Sequence, residues 1–368
     1  MRRTLFQIHL WTGLVVGLYV CAVSVTGAAL VFRVDLQRAL YPHLFAASDG
    51  PLADPVAVMA SVSGAYPQHV LSGVEAPTTR RPVYLAYVTR GSEFVTVLID
   101  PVSARVLGEL PEHAVVRALQ DLHFNLMAGR TGRLVNGTGA IATLFLCATG
   151  LVIWWPGRQV WRRALAVDFK RGGPPSPRLW RTSRRLAWRL HRAVGIWSVA
   201  FIALSAITGL AFVFPAGFRA VVTRVSAVTV TRPPQSAVPA DGTARPSWRT
   251  MVDRARQQVP DQPVARVVLP FGDRGAFLVQ FADRSPTPAG SELRSIFLDQ
   301  YSGDRLAATA ASRTWGDAVM AAMTPLHVGG LGGRAGRWAW FLFGLAPAVL
   351  FITGSIAWWQ RVVRPRLS

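Results

Sequence analysis

Four long runs of apolar residues alternate with mixed segments along the 368-residue chain. The runs cover residues 6–32, 134–155, 186–214 and 338–359. Because a helix rises about 1.5 Å per residue, each run can cross the roughly 30 Å hydrocarbon core of a bilayer. The pattern predicts four transmembrane helices. The first run is longer than the roughly 7–15 apolar residues of a signal peptide, so we expect it to be retained.

Shorter patterns fill the two long segments between the runs. Each segment shows a helical pattern followed by three stretches that alternate as strands do. In the first segment these elements are expected at 54–66, 70–74, 83–89 and 94–99. In the second they are expected at 247–259, 265–269, 276–281 and 295–298. Asp100 and Asp299 then begin predicted turns. We expect each segment to form a small α+β module.

The two halves of the chain repeat the same short motifs beside the apolar runs. Counterparts 182 residues apart are His9 and His191, Gly13 and Gly195, and Thr26-Gly27 and Thr208-Gly209. Counterparts 204 residues apart are Leu122-His123 and Leu326-His327, Gly129-Arg130-Thr131-Gly132-Arg133 and Gly333-Arg334-Ala335-Gly336-Arg337, and Thr149-Gly150 and Thr353-Gly354. The spacing indicates an internal duplication in which each half carries two membrane helices, each with a histidine at or just before its start.

The distribution of charge predicts the orientation. The net charge is +21 although only 16% of residues are charged. A basic chain can bind nucleic acid, but these arginines flank apolar runs, which favours a membrane protein that binds no nucleic acid. Basic residues concentrate at the amino end, at 156–190 and at the carboxyl end, so the positive-inside rule places these parts in the cytoplasm. The expected location is a bacterial inner membrane, with the two modules outside.

The predicted fold is therefore an integral membrane α-helical protein with four transmembrane helices from an internal duplication and two extracytoplasmic α+β modules. The helices, with their lead-in residues, are expected within 1–33, 122–156, 186–215 and 326–360. The modules are expected within 34–121 and 216–325, a basic cytoplasmic loop at 157–185 and a cytoplasmic tail at 361–368.

The combined motifs resemble one known family. They are the basic start, His9 with Gly13, Leu122-His123 before the Gly-Arg-x-Gly-Arg sequence, and Thr149-Gly150 before Trp154-Trp155. Over nearly its whole length the chain resembles the PepSY-associated transmembrane family, also described as iron-regulated membrane proteins. The resemblance implies PepSY-like outer modules. Some members are inner-membrane ferric-siderophore reductases that hold two b-type haems between four helices, so it also implies haem.

Four histidines carry the strongest chemical signal, namely His9, His123, His191 and His327. A single histidine at a membrane helix is more often a hydrogen-bonded interfacial residue, but four in related contexts favour axial ligation of haem iron. The topology puts His9 and His191 near the cytoplasmic face and His123 and His327 near the outer face. We expect two haem b groups, one at each face. A haem shared by His9 and His123 within one half remains an alternative.

Glycines follow two of these histidines at helical spacing. Gly13 and Gly17 lie four and eight residues after His9, and Gly195 lies four residues after His191. Residues at this spacing share a helical face. They either leave room for a flat macrocycle or allow close packing of helices, and the sequence does not separate these alternatives.

Four arginines depart from the positive-inside trend, namely Arg130, Arg133, Arg334 and Arg337. They lie at the outer ends of the second and fourth runs. One interpretation is that they extend to lipid phosphates. The other is that they bind haem propionates or attract an anionic ferric chelate, because guanidinium binds carboxylates well.

The expected function is electron transfer through two haem b groups to a ferric siderophore or another ferric chelate, which would make the chain a ferric-chelate reductase. The electron donor would be a quinol or a cytoplasmic reductase, since residues 156–190 are too few for a dinucleotide-binding domain. One alternative is a non-redox PepSY membrane protein that binds or regulates a periplasmic peptidase or a transport partner. Another keeps the haems but passes electrons to a periplasmic redox protein.

Overall fold

A computed structural model describes residues 2–111, 115–159, 179–229, 233–240, 244–282, 293–308 and 314–364. Most of the predicted basic loop and tail, at 160–178 and 365–368, lies outside these residues. The chain divides into two compact units. The helical unit comprises Met1–Phe32, Arg117–Arg224 and Ala321–Ser368, and the sheet unit comprises Arg33–Val116 and Val225–Met320.

The helical unit contains four helical stretches that are long and apolar enough to cross a membrane, at Arg2–Leu30, Gly129–Trp154, Leu186–Val213 and Gly333–Val363. The four predicted spans are thereby confirmed. All helices are numbered in chain order, so the first three spans are α1 (Arg2–Leu30), α5 (Gly129–Trp154) and α6 (Leu179–Val213). Three of the short helices are α2 (Arg33–Leu40, in the sheet unit), α4 (Val115–Asn125) and α7 (Pro215–Thr223).

The fourth span differs from the single helix expected. It consists of α10 (Gly333–Gly344), α11 (Ala346–Trp358) and a π-helical turn at Trp359–Val363. Pro347 lies at the start of α11, and a proline there interrupts the ladder because it lacks an N–H and its ring clashes with the preceding turn. The sequence contains this proline, so the break could have been anticipated.

The four spans form a ring of neighbours. Helix α1 packs against α5 and α11, and α6 packs against the same two helices, so α1 and α6 face each other across the bundle. Glycines permit some close approaches. A Cβ at Gly139 would collide with the ring of Tyr19, and a Cβ at Gly17 would collide with the ring of Phe351.

Two short helices lead into the second and fourth spans, and each carries a histidine near its end. His123 lies on α4, and His327 lies on α9 (Trp315–Val328). The chain reverses after α4 through Leu126 and Met127, whose φ angles are 50° and 57°. The histidines of both lead-in segments thus lie on short helices that end before the spans begin.

The sheet unit is one antiparallel sheet of eight strands. The strands of the first half are β1 (Val70–Glu75), β2 (Tyr84–Arg90), β3 (Glu93–Ile99) and β4 (Val106–Glu109), and those of the second are β5 (Val264–Val268), β6 (Ala276–Ala282), β7 (Leu293–Asp299) and β8 (Arg305–Ala308). Their order in the sheet is β4-β3-β2-β1-β5-β6-β7-β8. The three strands predicted in each half are confirmed. The outer strands β4 and β8 were missed because Gly108, Glu109, Ala307 and Ala308 are residue types with low strand propensity.

The two halves of the sheet share one core, although the sequence suggested two modules. Strand β1 pairs with β5, and Gly73 is required there because a Cβ would collide with the carbonyl oxygen of Val267. Helices α3 (Pro55–Ala65) and α8 (Trp248–Gln258) contribute to a single cluster of buried side chains. Asp54 also caps α3 and lies 3.1 Å from guanidinium nitrogens of Arg249 and Arg256.

Asp100 stabilises the predicted turn after β3. It is 1% exposed and accepts backbone N–H groups of Ser48, Val102 and Ser103 at 2.8 to 3.0 Å. Burial alone raises the pKa of this carboxyl, but the hydrogen bonds from Ser103 and Ser48 outweigh burial and leave the pKa well below its usual range. Asp299 occupies the equivalent turn in the second half, and its pKa is lowered for the same reason.

We expect Asp100→Asn to weaken the sheet unit by about 1–3 kcal/mol, since three backbone N–H donors around this buried side chain lose a charged acceptor. Because the folded pKa lies below the unfolded value of about 3.9, the contribution of Asp100 is present above that value and is lost as the pH falls through the folded pKa. Faster hydrogen exchange at Val102 and Ser103 in the full-length variant would measure the loss. Exposed Asp49→Asn is the control, and unchanged exchange in Asp100→Asn would contradict this account.

Candidate functional site

The structure brings His9 and His191 together across the bundle. Their ring centroids are 6.5 Å apart and their planes are nearly perpendicular, at 88°. Both side chains line a cavity of about 470 Å³ enclosed by the four spans. This volume is within the range of about 300–1,000 Å³ that small-molecule and cofactor sites occupy. We call it the inner site, after the face at which the sequence places these histidines.

His123 and His327 form the second pair. Their ring centroids are 6.1 Å apart, with an interplanar angle of 49°. Phe124 packs against His123, and Phe212 packs against His327, with centroid distances of 5.7 and 5.2 Å. We call this pair the outer site. The histidines that the sequence pairs across the two halves are therefore also neighbours in the structure.

Both separations suit two imidazoles on opposite sides of one metal ion. Because metal–nitrogen bonds are about 2 Å long, one metal ion bound by both imidazoles would hold their centroids roughly 6 Å apart. Among the described residues, no group of three or more His, Cys, Asp or Glu side chains could hold a metal ion. Each histidine pair would supply two nitrogen ligands to a metal ion.

The glycines beside the inner site fall into two classes. A Cβ at Gly13 or Gly195 would make only ordinary contacts, at 3.9 Å to Leu146 and 3.7 Å to Leu350, and both glycines line the cavity. A Cβ at Gly17 would collide with Phe351. Gly17 therefore serves close packing, whereas Gly13 and Gly195 border open space. Occupation of that space by a macrocycle stays a prediction.

Buried polar groups without partners also line the inner site. Ser355 and Trp358 line the cavity, and their buried Oγ and Nε1 atoms have no hydrogen-bond partner in the described structure. Arg192 and Arg361 line the same cavity. An acceptor such as a carboxylate would satisfy these donors. None of these four residues was predicted to belong to a site, although Arg192 directly follows His191 and so offered a signal.

The arginines predicted at the outer face have varied surroundings. Arg133 Nη2 donates to the carbonyl oxygen of Phe212 at 2.6 Å, and the Arg337 guanidinium lies 5.6 Å from the ring centroid of Phe32. Arg130 and Arg334 are exposed to the surroundings of the protein. Their binding of propionates or of an anionic chelate stays a prediction.

Each of the four histidines also meets a threonine from a neighbouring helix. The Nδ1 to Oγ1 distances are 2.8 Å for His9 and Thr149, 3.3 Å for His123 and Thr26, 3.2 Å for His191 and Thr353, and 2.8 Å for His327 and Thr208. The Thr-Gly pairs recur in the sequence, but no role was predicted for them. No hydrogen bond to Nε2 of these histidines occurs in the described part of the chain, so Nε2 is the nitrogen left for a ligand.

One comparison with known proteins identifies a relationship. The family model described as the PepSY-associated TM region matches residues 6–361. No curated protein matches the chain.

We expect Gly17→Ala to destabilise the helical unit by about 1–3 kcal/mol, because overpacking forces neighbouring side chains to shift. Gly13→Ala is the matched variant on the same helix and should leave stability nearly unchanged, since its Cβ would face open space. Thermal unfolding of the detergent-solubilised proteins measures both. Equal losses for the two variants would show that Gly13 also serves close packing.

Proposed function

The chain belongs to the PepSY-associated transmembrane family, and we propose that it is an inner-membrane electron-transfer protein with two b-type haems. In this proposal it passes single electrons to a ferric siderophore or a similar ferric chelate on the periplasmic side. It is then a ferric-chelate reductase that serves iron uptake. The four-span bundle arises by internal duplication, and the sheet unit consists of two PepSY-like halves outside the membrane.

The observation that carries the proposal is the distance within the two histidine pairs, 6.5 and 6.1 Å between centroids. Haem supplies an iron centre that gains and loses one electron, and bis-histidine ligation leaves it no open position for oxygen. His9 with His191 would hold one haem, and His123 with His327 the other. Helical bundles commonly build such sites from facing side chains.

The inner site fits a haem on grounds independent of the histidines. The space beside Gly13 and Gly195 accommodates part of a flat macrocycle, and the lining is largely apolar. The unpartnered donors Ser355 Oγ and Trp358 Nε1, with the nearby arginines, suit the carboxylates of propionates. The cavity therefore offers both parts of the environment that haem requires, apolar walls and a polar edge.

The separation of the two sites suits transfer across a bilayer. Thr26, which contacts His123, lies 17 residues after His9 on α1, a distance of about 25 Å along a helix. This separation argues against one haem shared by His9 and His123. It supports a path with one station near each face, from a quinol or a cytoplasmic reductase to the periplasm.

The proposed acceptor rests on the charge near the outer site. Arg130 and Arg133 begin α5, directly after the helix of His123, and Arg334 and Arg337 begin α10, directly after the helix of His327. Cations there would attract an anionic ferric chelate. Reduction of Fe(III) to Fe(II) by one electron would release the iron, because hard oxygen ligands hold the lower charge less well. A periplasmic redox protein is the alternative acceptor.

A non-redox role in binding a peptidase or a transport partner would use the sheet unit. It offers no reason for two histidine pairs at metal-bridging separation inside the bundle. We therefore prefer the redox proposal.

We expect protein from haem-replete cells to show the absorption spectrum of a reduced b-type haem after dithionite treatment. His9→Ala and His123→Ala should each remove about half of the haem, because each breaks one bis-histidine site. His43→Ala, in the sheet unit, is the matched control and should retain all of it. Absence of haem from the wild-type protein would refute the proposal.

We also expect a variant with alanine at His9, His123, His191 and His327 to lose ferric-chelate reduction in membrane vesicles supplied with a quinol or a cytoplasmic reductase. The assay follows formation of Fe(II) with a chromogenic chelator. Wild-type haem binding without any chelate reduction would leave a periplasmic redox protein as the acceptor. Undiminished iron uptake by cells with the four-alanine variant would favour the non-redox role.

A further inference from the structure

We propose that Thr26, Thr149, Thr208 and Thr353 are positioning residues, each of which fixes one histidine as the tautomer with its proton on Nδ1. The lone pair of Nε2 then remains free to bind haem iron. The inference rests on the proposed function, but the tautomer itself exists with or without haem.

The argument begins with the single proton of each threonine hydroxyl. Every one of these hydroxyls donates to a carbonyl oxygen of its own helix, four residues earlier. The distances are 2.8 Å from Thr26 to Ala22, 2.9 Å from Thr149 to Phe145, 2.8 Å from Thr208 to Leu204 and 2.7 Å from Thr353 to Val349. A hydroxyl has one proton and two lone pairs, so each oxygen faces its histidine as an acceptor. The histidine nitrogen must then be the donor.

Backbone carbonyls confirm the direction at two of the histidines. His123 Nδ1 lies 2.9 Å from the carbonyl oxygen of Val23, and His191 Nδ1 lies 3.0 Å from that of Leu350. A carbonyl oxygen can only accept. The proton is therefore on Nδ1 in both rings. In metal sites this arrangement orients the ring and raises the basicity of the ligating nitrogen.

The glycines after Thr26, Thr353 and Thr149 leave room for the histidine rings, whereas Gly209 is less tightly placed. A Cβ at Gly27 would lie 2.7 Å from His123 Cε1, a distance that the ring could not tolerate without moving. At Gly354 and Gly150 the distances to Cε1 of His191 and His9 would be 3.3 and 3.4 Å, and at Gly209 the distance to His327 would be 3.8 Å. The Thr-Gly pair thus acts as a seat for an imidazole, with an acceptor for Nδ1 and space for the ring edge.

Within each half of the chain, the threonine of one span contacts the histidine that belongs to the other span or to its lead-in helix. Helix α1 provides His9 to Thr149 on α5, and its own Thr26 receives His123 from the helix that precedes α5. Helix α6 exchanges His191 and Thr208 with the fourth span and its lead-in helix in the same way. Each half therefore orients its two histidines, and the meeting of the halves brings the paired rings to 6.5 and 6.1 Å between centroids.

The inner site allows a graded test, because its two histidines differ in their acceptors. Thr149 Oγ1 is the acceptor shown for His9, whereas His191 retains the Leu350 carbonyl if Thr353 is changed. In the haem-loaded protein, Thr149→Val should weaken binding of the inner haem about 10–100-fold. It should also raise its midpoint potential, because a less basic ligand stabilises Fe(III) less. Thr353→Val should do so much less, and Thr149→Ser should restore both values.

Thr143→Val is the control for loss of a cavity hydroxyl, since Thr143 lines the inner site and donates to Gly139 of its own helix. The readout is redox titration of the inner haem, with electron paramagnetic resonance of its ferric state. An unchanged potential and spectrum in folded, haem-loaded Thr149→Val would overturn the role of Thr149, even with haem binding intact in the wild type. Lower haem content with an unaltered potential would mark Thr149 as merely structural and would also overturn it.

A measurement on the wild-type protein without haem covers the case in which Thr149→Val fails to fold. The ¹⁵N chemical shifts of labelled histidines distinguish a protonated nitrogen from one with a free lone pair. We expect Nδ1 protonated and Nε2 unprotonated for His9, His123, His191 and His327, each assigned from its His→Gln variant. Protonation at Nε2 in these residues would overturn the proposal, whatever the haem content of the loaded protein.

Discussion

The hydrogen bond from histidine Nδ1 to a threonine hydroxyl is the interaction on which the helical unit depends. An imidazole among apolar helices must satisfy at least one nitrogen within the protein, because hydrocarbon supplies no partner. The bundle does so with a threonine that remains helical by donating its own proton to the preceding turn. The bond therefore joins two helices and orients the ring, while no hydrogen bond to Nε2 occurs within the described part of the chain.

This constraint separates orientation from assembly. Within a half, hydrogen bonds decide which way each imidazole points. Between halves, the packing of α1 and α6 around α5 and α11 brings the rings to about 6 Å. The two imidazoles of each pair, which come from different halves, then meet without any long excursion of a side chain. The two halves of the sheet unit are joined by the pairing of β1 with β5 and by the contacts of Asp54 with arginines of α8.

The spans and inner strands could be predicted because hydropathy and alternation are local properties of the sequence. The pairing of His9 with His191 also followed, since the repeat and the arginines together fix which ends of the helices are neighbours. The threonine contacts could not be predicted, because they depend on the rotation of each helix about its axis. That the two modules form one sheet could not be predicted either, because the backbone pairing of β1 with β5 leaves no signal in the sequence except Gly73.

The two halves differ where they anchor the outer-site histidines, and the difference shows which requirement persists. In the first half, Asn136 Nδ2 donates to the carbonyl oxygen of His123 at 2.6 Å. Trp340, 204 residues later, donates its indole N–H to that of Leu326 at 2.7 Å. An amide and an indole share little except an N–H donor and a long reach. Holding the end of the histidine helix against the following span is therefore the property that both halves keep, while the side chain that provides it has changed.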